Sequence, residues 1–301
     1  MDSIGVARVE TFGSYLMLIN YRQPYFLQVY TAYSDGYQYS GRFFRKGKGP
    51  KDFLGFQVIK KEYPCLWIQD YMNKHVKKIN IEQGFDDRSF IIEKIYSYKK
   101  TVDPFNVFYL SDTCFLIKDY DVNKGLYYLK YNPEKESISS EEFILYNYPV
   151  TYPLMNKMLT LADVLHPRGN KIASITGVFN QIDILNLDNP DKNISVTTNQ
   201  KPVKYQDVMN TGKEDFQEYY FSYPVCNEQM IFVLYHSQDA NKPVQIHVID
   251  WDGNPVAKLH LDKNIRDIHI DFNEKIIYGI EDESERVYKF NIKTGNFRLL
   301  G

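Results

Sequence analysis

The chain has 301 residues, with 36 Lys and Arg against 38 Asp and Glu, a net charge of −2, and 44% apolar residues. That balance excludes the basic excess of a nucleic-acid-binding domain and the charge blocks of a polyionic tail. No apolar run approaches the 18 residues of a membrane-crossing helix. Aromatic residues reach 16%, with 26 Tyr and 19 Phe. Tyr and Phe fill pleated, half-buried surfaces, and Tyr can keep its hydroxyl in water while its ring is covered. A β-protein follows, with Tyr-lined carbohydrate binding as a further use of such a surface.

The start, MDSIGVARVE, has no basic segment followed by an apolar one, so it does not read as a secretory signal. The chain as written is expected in the cytoplasm, with the periplasm or cell envelope as the alternative if residues precede Met1. Cys65, Cys114 and Cys226 are too few to pair completely and lack metal-ligand spacing. They are expected as free thiols.

In chain order, six apolar segments read as buried strands: Leu16–Asn20, Leu66–Asp70, Phe115–Asp119, Ile172–Thr176, Ile231–Tyr235 and Ile276–Ile280. A second strand follows each one: Tyr25–Tyr30, Val76–Ile81, Leu126–Tyr131, Ile182–Leu187, Val244–Ile249 and Val287–Ile292. Turn residues then close each pair, as in Ser34–Gly36, Asp188–Pro190 and Asp252–Gly253. Further strands flank the pairs, as at Gln57–Lys60, Phe90–Ile95, Val256–Leu261 and Asp267–Phe272. Six units of about four antiparallel strands, repeating every ~50 residues, predict an all-β, six-bladed β-propeller spanning residues 1–301 as one domain. Met1–Arg8 is expected as the inner strand of the first unit and Phe297–Gly301 as the outer strand of the last. Two long connections, Asn147–Pro167 and Thr197–Glu218, are rich in Tyr, Pro and charge. Long connections are often functional. Asp207–Tyr219 could hold one or two helical turns.

Gly47-Lys48-Gly49-Pro50-Lys51-Asp52-Phe53 is similar to the G-x-G-P-G-E-F signature between blades of NHL-repeat-like bacterial propellers, with Lys51 for the usual Gly and Asp52 for the usual Glu. Together with Val248–Val256 and the later IIYGI strand, it resembles the TolB-like six-bladed propellers common in Bacteroidetes. The resemblance covers essentially the whole chain by blade order and length. It implies the fold, and it leaves function to the site.

Candidate sites follow from residue chemistry. Arg45-Lys46-Gly47-Lys48-Gly49-Pro50 could hold a phosphate or carboxylate, since glycines let backbone N–H groups approach an anion; Arg45 and Lys48 are the binding candidates. The plain alternative is an inter-blade turn. Asp70-Tyr71-Met72-Asn73-Lys74 returns in Asp119–Lys124, and Asp282–Arg286 holds the same place. This resembles a structural D-x-x-N-x-R/K hairpin in which the terminal cation meets a neighbouring Asp. Its functional alternative is a carboxylate ring holding Ca²⁺ or Mg²⁺, with Asp70, Asp119 and Asp282 as first suspects. The six His form no metal motif, no G-x-S-x-G elbow is present, and Asn193-Ile194-Ser195 reads as a chance sequon. No catalytic residue is assigned and no cofactor is required beyond that possible cation. The expected function is a non-enzymatic scaffold that binds a protein or glycan partner through loops on one face, with Tyr148, Tyr152, Tyr219 and Tyr220 as contacts. The alternative is a metal-dependent lyase or hydrolase acting on a sugar or lactone at a central funnel.

Overall fold

The computed structural model of the chain describes residues 5–82, 84–85, 90–98, 106–121, 125–146, 161–176, 179–197, 220–237, 242, 244–292 and 298–299. The fold is all-β, a six-bladed β-propeller, and its antiparallel sheets follow one another in chain order. Two compact units divide the chain: an N-terminal unit, Gly5–Pro149, and a C-terminal unit, Val150–Gly301 with Met1–Ile4.

The N-terminal unit holds three four-stranded meanders. The first is β1 (Val6–Phe12), β2 (Tyr15–Asn20), β3 (Tyr25–Tyr33) and β4 (Gly36–Arg45). The second is β5 (Gln57–Glu62), β6 (Cys65–Asp70), β7 (His75–Asn80) and β8 (Ile91–Ser97). The third is β9 (Asn106–Ser111), β10 (Cys114–Asp121), β11 (Gly125–Asn132) and β12 (Ser137–Tyr146).

The sequence of β6, CLWIQD, shows no polar alternation because both of its faces are covered. All six of its residues are buried. Successive side chains of a strand point to opposite faces. Leu66 and Ile68 accordingly pack with Met17, Ile19 and Leu27 of the first sheet, while Cys65 and Trp67 pack with Phe115, Ile117 and Leu129 of the third. Much of the aromatic excess sits in the first of these layers. Phe44 meets Phe53, Phe56 and Phe90 at centroid separations of 5.3, 5.6 and 5.1 Å. Each fully buried Phe contributes about 1.5–3 kcal/mol relative to exposure. Between the second and third sheets the layer is partly polar. Lys60 Nζ lies 4.7 Å from the Trp67 ring and 4.3 Å from that of Tyr109, and Asp112 accepts the hydroxyls of Tyr96 and Tyr109, each at 2.7 Å.

In the C-terminal unit, the fourth sheet is β13 (Leu161–Leu165), β14 (Lys171–Thr176), β15 (Gln181–Asn186) and β16 (Ile194–Thr197). A single 3₁₀ turn, Pro190–Lys192, precedes β16. The fifth is β17 (Phe221–Cys226), β18 (Met230–Tyr235), β19 (Gln245–Asp250) and β20 (Pro255–His260). The sixth is β21 (Ile265–Asp271), β22 (Ile276–Glu281) and β23 (Val287–Asn291). Apolar layers join the fourth to the fifth sheet through Ala173, Ile184, Ile231 and Trp251, and the fifth to the sixth through Leu234, Val248, Ile268 and Ile277.

The C-terminal strand departs from expectation. β24 (Arg298–Leu299) pairs with Ala257 and Lys258 on the outer edge of β20, so among the described residues the fifth sheet has five strands and the sixth has three. A terminal strand takes whichever sheet edge leaves N–H and C=O groups unpaired, and here that edge belongs to the preceding blade. At the other end, the first strand of the first sheet is β1 (Val6–Phe12), which overlaps the expected Met1–Arg8 only at Val6–Arg8; residues 1–4 lie outside the described residues. All three cysteines are free thiols. Burial pushes the Cys226 thiol up to about 12. Among the described residues no helix is long and apolar enough to cross a membrane.

Candidate functional site

The glycine-rich connector after β4 folds around an anion supplied by the chain itself. Asp52 receives Arg45 Nε at 3.1 Å, Arg45 Nη2 at 3.0 Å and the Gly49 N–H at 3.0 Å. Backbone bonds close the loop: the Gly47 N–H donates to the Phe53 carbonyl, and the Phe53 N–H to that of Arg45. Both glycines are explained by this carboxylate. A methyl group on Gly47 would lie 2.3 Å from Asp52 Oδ2, and one on Gly49 2.9 Å from it. Arg45 is thus engaged within the connector, and Lys48 is exposed on it.

The Arg45 hydrogen bond holds the Asp52 carboxyl below its ordinary value. A carboxyl depressed in the folded state stabilises the fold above its unfolded pKa of ~3.9, and that contribution is lost as pH falls through the folded value. An Asp52→Asn variant is therefore expected to lose less stability than the wild type between pH 7 and pH 3, measured by urea unfolding at each pH.

Behind the connector lies a buried ion pair. Lys77 Nζ on β7 donates to Asp70 Oδ2 at 3.0 Å and to the Asp52 carbonyl at 2.9 Å, and it sits 4.0 Å from the Phe53 ring centroid. Asp70 Oδ1 accepts the N–H groups of Leu54 at 3.3 Å and Gly55 at 2.9 Å. Its Oδ2 also accepts Asn73 Nδ2 at 2.8 Å. The D-x-x-N hairpin at Asp70 is therefore structural, and the cation that meets Asp70 is Lys77 on the next strand. Lys74 ends the turn with φ 53, and the β6–β7 register sets Lys77 opposite Ile68.

Asp119 is buried on β10, and Asp282 is exposed on the turn after β22. Asp70 and Asp119 belong to the N-terminal unit and Asp282 to the C-terminal unit. Among the described residues no three His, Cys, Asp or Glu side chains converge as a metal-binding group.

Around the connector, three turns gather an exposed apolar rim: Tyr21 (39% exposed), Leu54 (37%), Tyr71 (41%) and Met72 (66%). The Tyr21 hydroxyl donates to the Phe56 carbonyl at 3.0 Å, and Lys46 Nζ donates to the Tyr21 carbonyl. Gly55 lies against Tyr71, since a methyl group there would come within 2.7 Å of the ring. These rings are held by bonds and packing, so ordering them on binding costs little entropy. Of the tyrosines expected as contacts, Tyr148, Tyr152 and Tyr219 lie outside the described residues, as do most of both long connections and Asp207–Tyr219. Tyr220 is half-buried and packs on the layer between the fourth and fifth sheets.

The Asp-Trp-Asp-Gly-Asn turn in the C-terminal unit is also a closed structural device. Asp250 Oδ1 accepts the N–H groups of Asp252 at 2.9 Å and Asn254 at 2.8 Å, and Gly253 takes φ 85. Trp251 Nε1 donates to the Asn227 carbonyl at 3.0 Å. A shallow pocket of about 200 Å³ beside it is lined in part by Lys171, Lys192, Trp251 and Asp252.

One polar group went unnoticed in the sequence. Ser222 Oγ on β17 lies 2.5 Å from His236 Nε2, just past β18, and Asp282 acts on His236 through space. The His236 N–H donates to the Tyr220 carbonyl at 2.9 Å, which fixes its backbone. Burial lowers the His236 pKa, opposed by Asp282, so the imidazole is neutral at pH 7.

No protein-family model matches the chain, and no curated protein matches it. Solved structures match it at low identity over nearly its whole length. It is similar to hydrazine synthase of Kuenenia stuttgartiensis, with 12% identity, TM-score 0.51, and 97% of this chain and 78% of that one covered. It is similar to a candidate exported protein of Bacteroides fragilis, with 13% identity, TM-score 0.52, and 93% and 80% covered. A protein from Lactobacillus plantarum matches with 9% identity, TM-score 0.51, and 98% and 84% covered. At these identities the likeness is one of fold.

Proposed function

We propose that the chain is a TolB-like, NHL-repeat-like propeller, a single domain over residues 1–301, that acts as a binding scaffold for a protein partner. The observation that supports this reading is the rim of Tyr21, Leu54, Tyr71 and Met72 over a fully bonded polar base. Leu54 and Met72 offer a sugar no hydrogen bonds, whereas apolar and aromatic side chains anchor protein interfaces. Arg45 and Lys48 on the connector would extend the contact, and Tyr148, Tyr152, Tyr219 and Tyr220 are proposed as partner contacts in their own right. The metal-centred alternative draws on Asp70, whose oxygens already take four protein donors.

The test is a cross-linking pull-down with the full chain, run beside a Tyr71→Ser/Met72→Ser variant and a Tyr148→Ser/Tyr152→Ser variant, with a glycan array in parallel. A protein captured by the wild type should be retained at least ~10-fold less by the Tyr71/Met72 variant. Equal capture by that variant contradicts the rim as the interface. Binding to the array without protein capture contradicts the choice of partner.

A further inference from the structure

We propose that Ser222 and His236 form a nucleophile–base pair that cleaves uncharged carboxylic esters through an acyl-serine. The inference is independent of the rim, which lies in the other unit. Three features on the fifth sheet carry it. The first is the direct contact of Ser222 Oγ with His236 Nε2 at 2.5 Å, the donor–acceptor arrangement a general base needs.

The second is the backbone. Register shifts between Ser222 and Val225, where β17 pairs with β18. Tyr223, directly after Ser222, takes φ 48 without being a glycine. A bulge re-aims side chains and is frequent beside active sites, and a non-glycine residue held at positive φ costs on the order of 1–3 kcal/mol. Comparable register shifts occur between the first two strands of the first, second and sixth sheets, whereas a positive φ falls within a first strand only at Tyr223 among the described residues. The third is access: Ser222 and His236 are only half-buried.

The reaction balances with groups on this chain and water. Ser222 Oγ attacks the ester carbonyl carbon as its proton passes to His236 Nε2. The tetrahedral adduct collapses, the carbon–oxygen bond to the alcohol breaks, and the alcohol leaves with that proton. Water then attacks the acyl-serine, giving its proton to His236, and Ser222 regains a proton as the acid departs. The carboxylate of Asp282 would favour the imidazolium formed in each half-reaction and repel an anionic acyl group.

The experiment uses the full chain with a fluorophosphonate probe, peptide mapping, and hydrolysis of p-nitrophenyl acetate and p-nitrophenyl succinate. The wild type should take one equivalent of probe at Ser222 and cleave the acetate faster than the anionic succinate. Ser222→Ala should abolish labelling while melting within about 2 °C of the wild type. His236→Gln should lower the labelling rate by ~10²-fold or more, which keeps the proposal testable if Ser222→Ala misfolds. Absence of label at Ser222 in folded wild type, or hydrolysis that persists unchanged in either variant, overturns it.

Discussion

Replacing Lys77 by Met is expected to cost about 3–5 kcal/mol, the penalty for leaving a buried charge without its partner. Asp70 is wholly buried, and its side chain and that of Lys77 are 0% and 6% exposed. Without the ammonium, the buried Asp70 side chain loses its partner and one of its four donors, and the Asp52 carbonyl loses a donor. The loss of the cation from the Phe53 ring adds to this. In a unit of this size the change corresponds to a fall in melting temperature on the order of 10 °C. Adding Asp70→Asn should restore part of the loss. Asn is uncharged, and its carbonyl can still accept the Gly55 N–H. Urea unfolding of the two single variants and the double variant should show a coupling of about 1–3 kcal/mol. Strict additivity would mean that the pair is not the pin described.

The second large effect is expected at Gly47. Its φ is not in the left-handed region, so Gly47→Ala carries no backbone penalty and the cost is steric. The added methyl group would stand 2.3 Å from Asp52 Oδ2. That oxygen cannot yield cheaply, because Arg45 and the Gly49 N–H hold the carboxylate from two sides. Overpacking of this kind costs about 1–3 kcal/mol. In an Asp52→Ala background the space opens, and Gly47→Ala should then cost under about 0.5 kcal/mol, as at an ordinary surface site. A cost that is the same in both backgrounds would separate the glycine from the carboxylate.

The strands were legible because burial on both faces leaves a simple imprint. Leu66–Asp70 reads as a strand and is β6 but for one residue, and Ile276–Ile280 lies within β22. The connector was half legible. Gly47 and Gly49 did signal close approach to an anion, but that anion stands in the same loop, at Asp52. Nothing in the hairpin's own spacing names Lys77, since strand pairing brings it to Asp70 from the far side of the turn. The contact of Ser222 with His236 joins residues 14 apart that only the pairing of β17 with β18 brings together, so no periodic pattern in the sequence marks it. The pairing of Arg298–Leu299 with β20 is a choice between two sheet edges, and two residues carry too little pattern to decide it.

The central claim is that Asp70, one of the residues that suggested a metal centre, serves with Lys77 as a structural pin in the N-terminal unit. The most direct measurement is the melting temperature of EDTA-treated wild type and Asp70→Asn, with and without Ca²⁺, Mg²⁺, Mn²⁺ and Zn²⁺. A ligand that binds the folded state raises this temperature, the more so the further its concentration exceeds its Kd. The account predicts that Asp70→Asn melts several degrees lower whether or not a cation is present, and that no cation shifts the wild type through Asp70. A cation that stabilises the wild type by several degrees and leaves Asp70→Asn unmoved would contradict it.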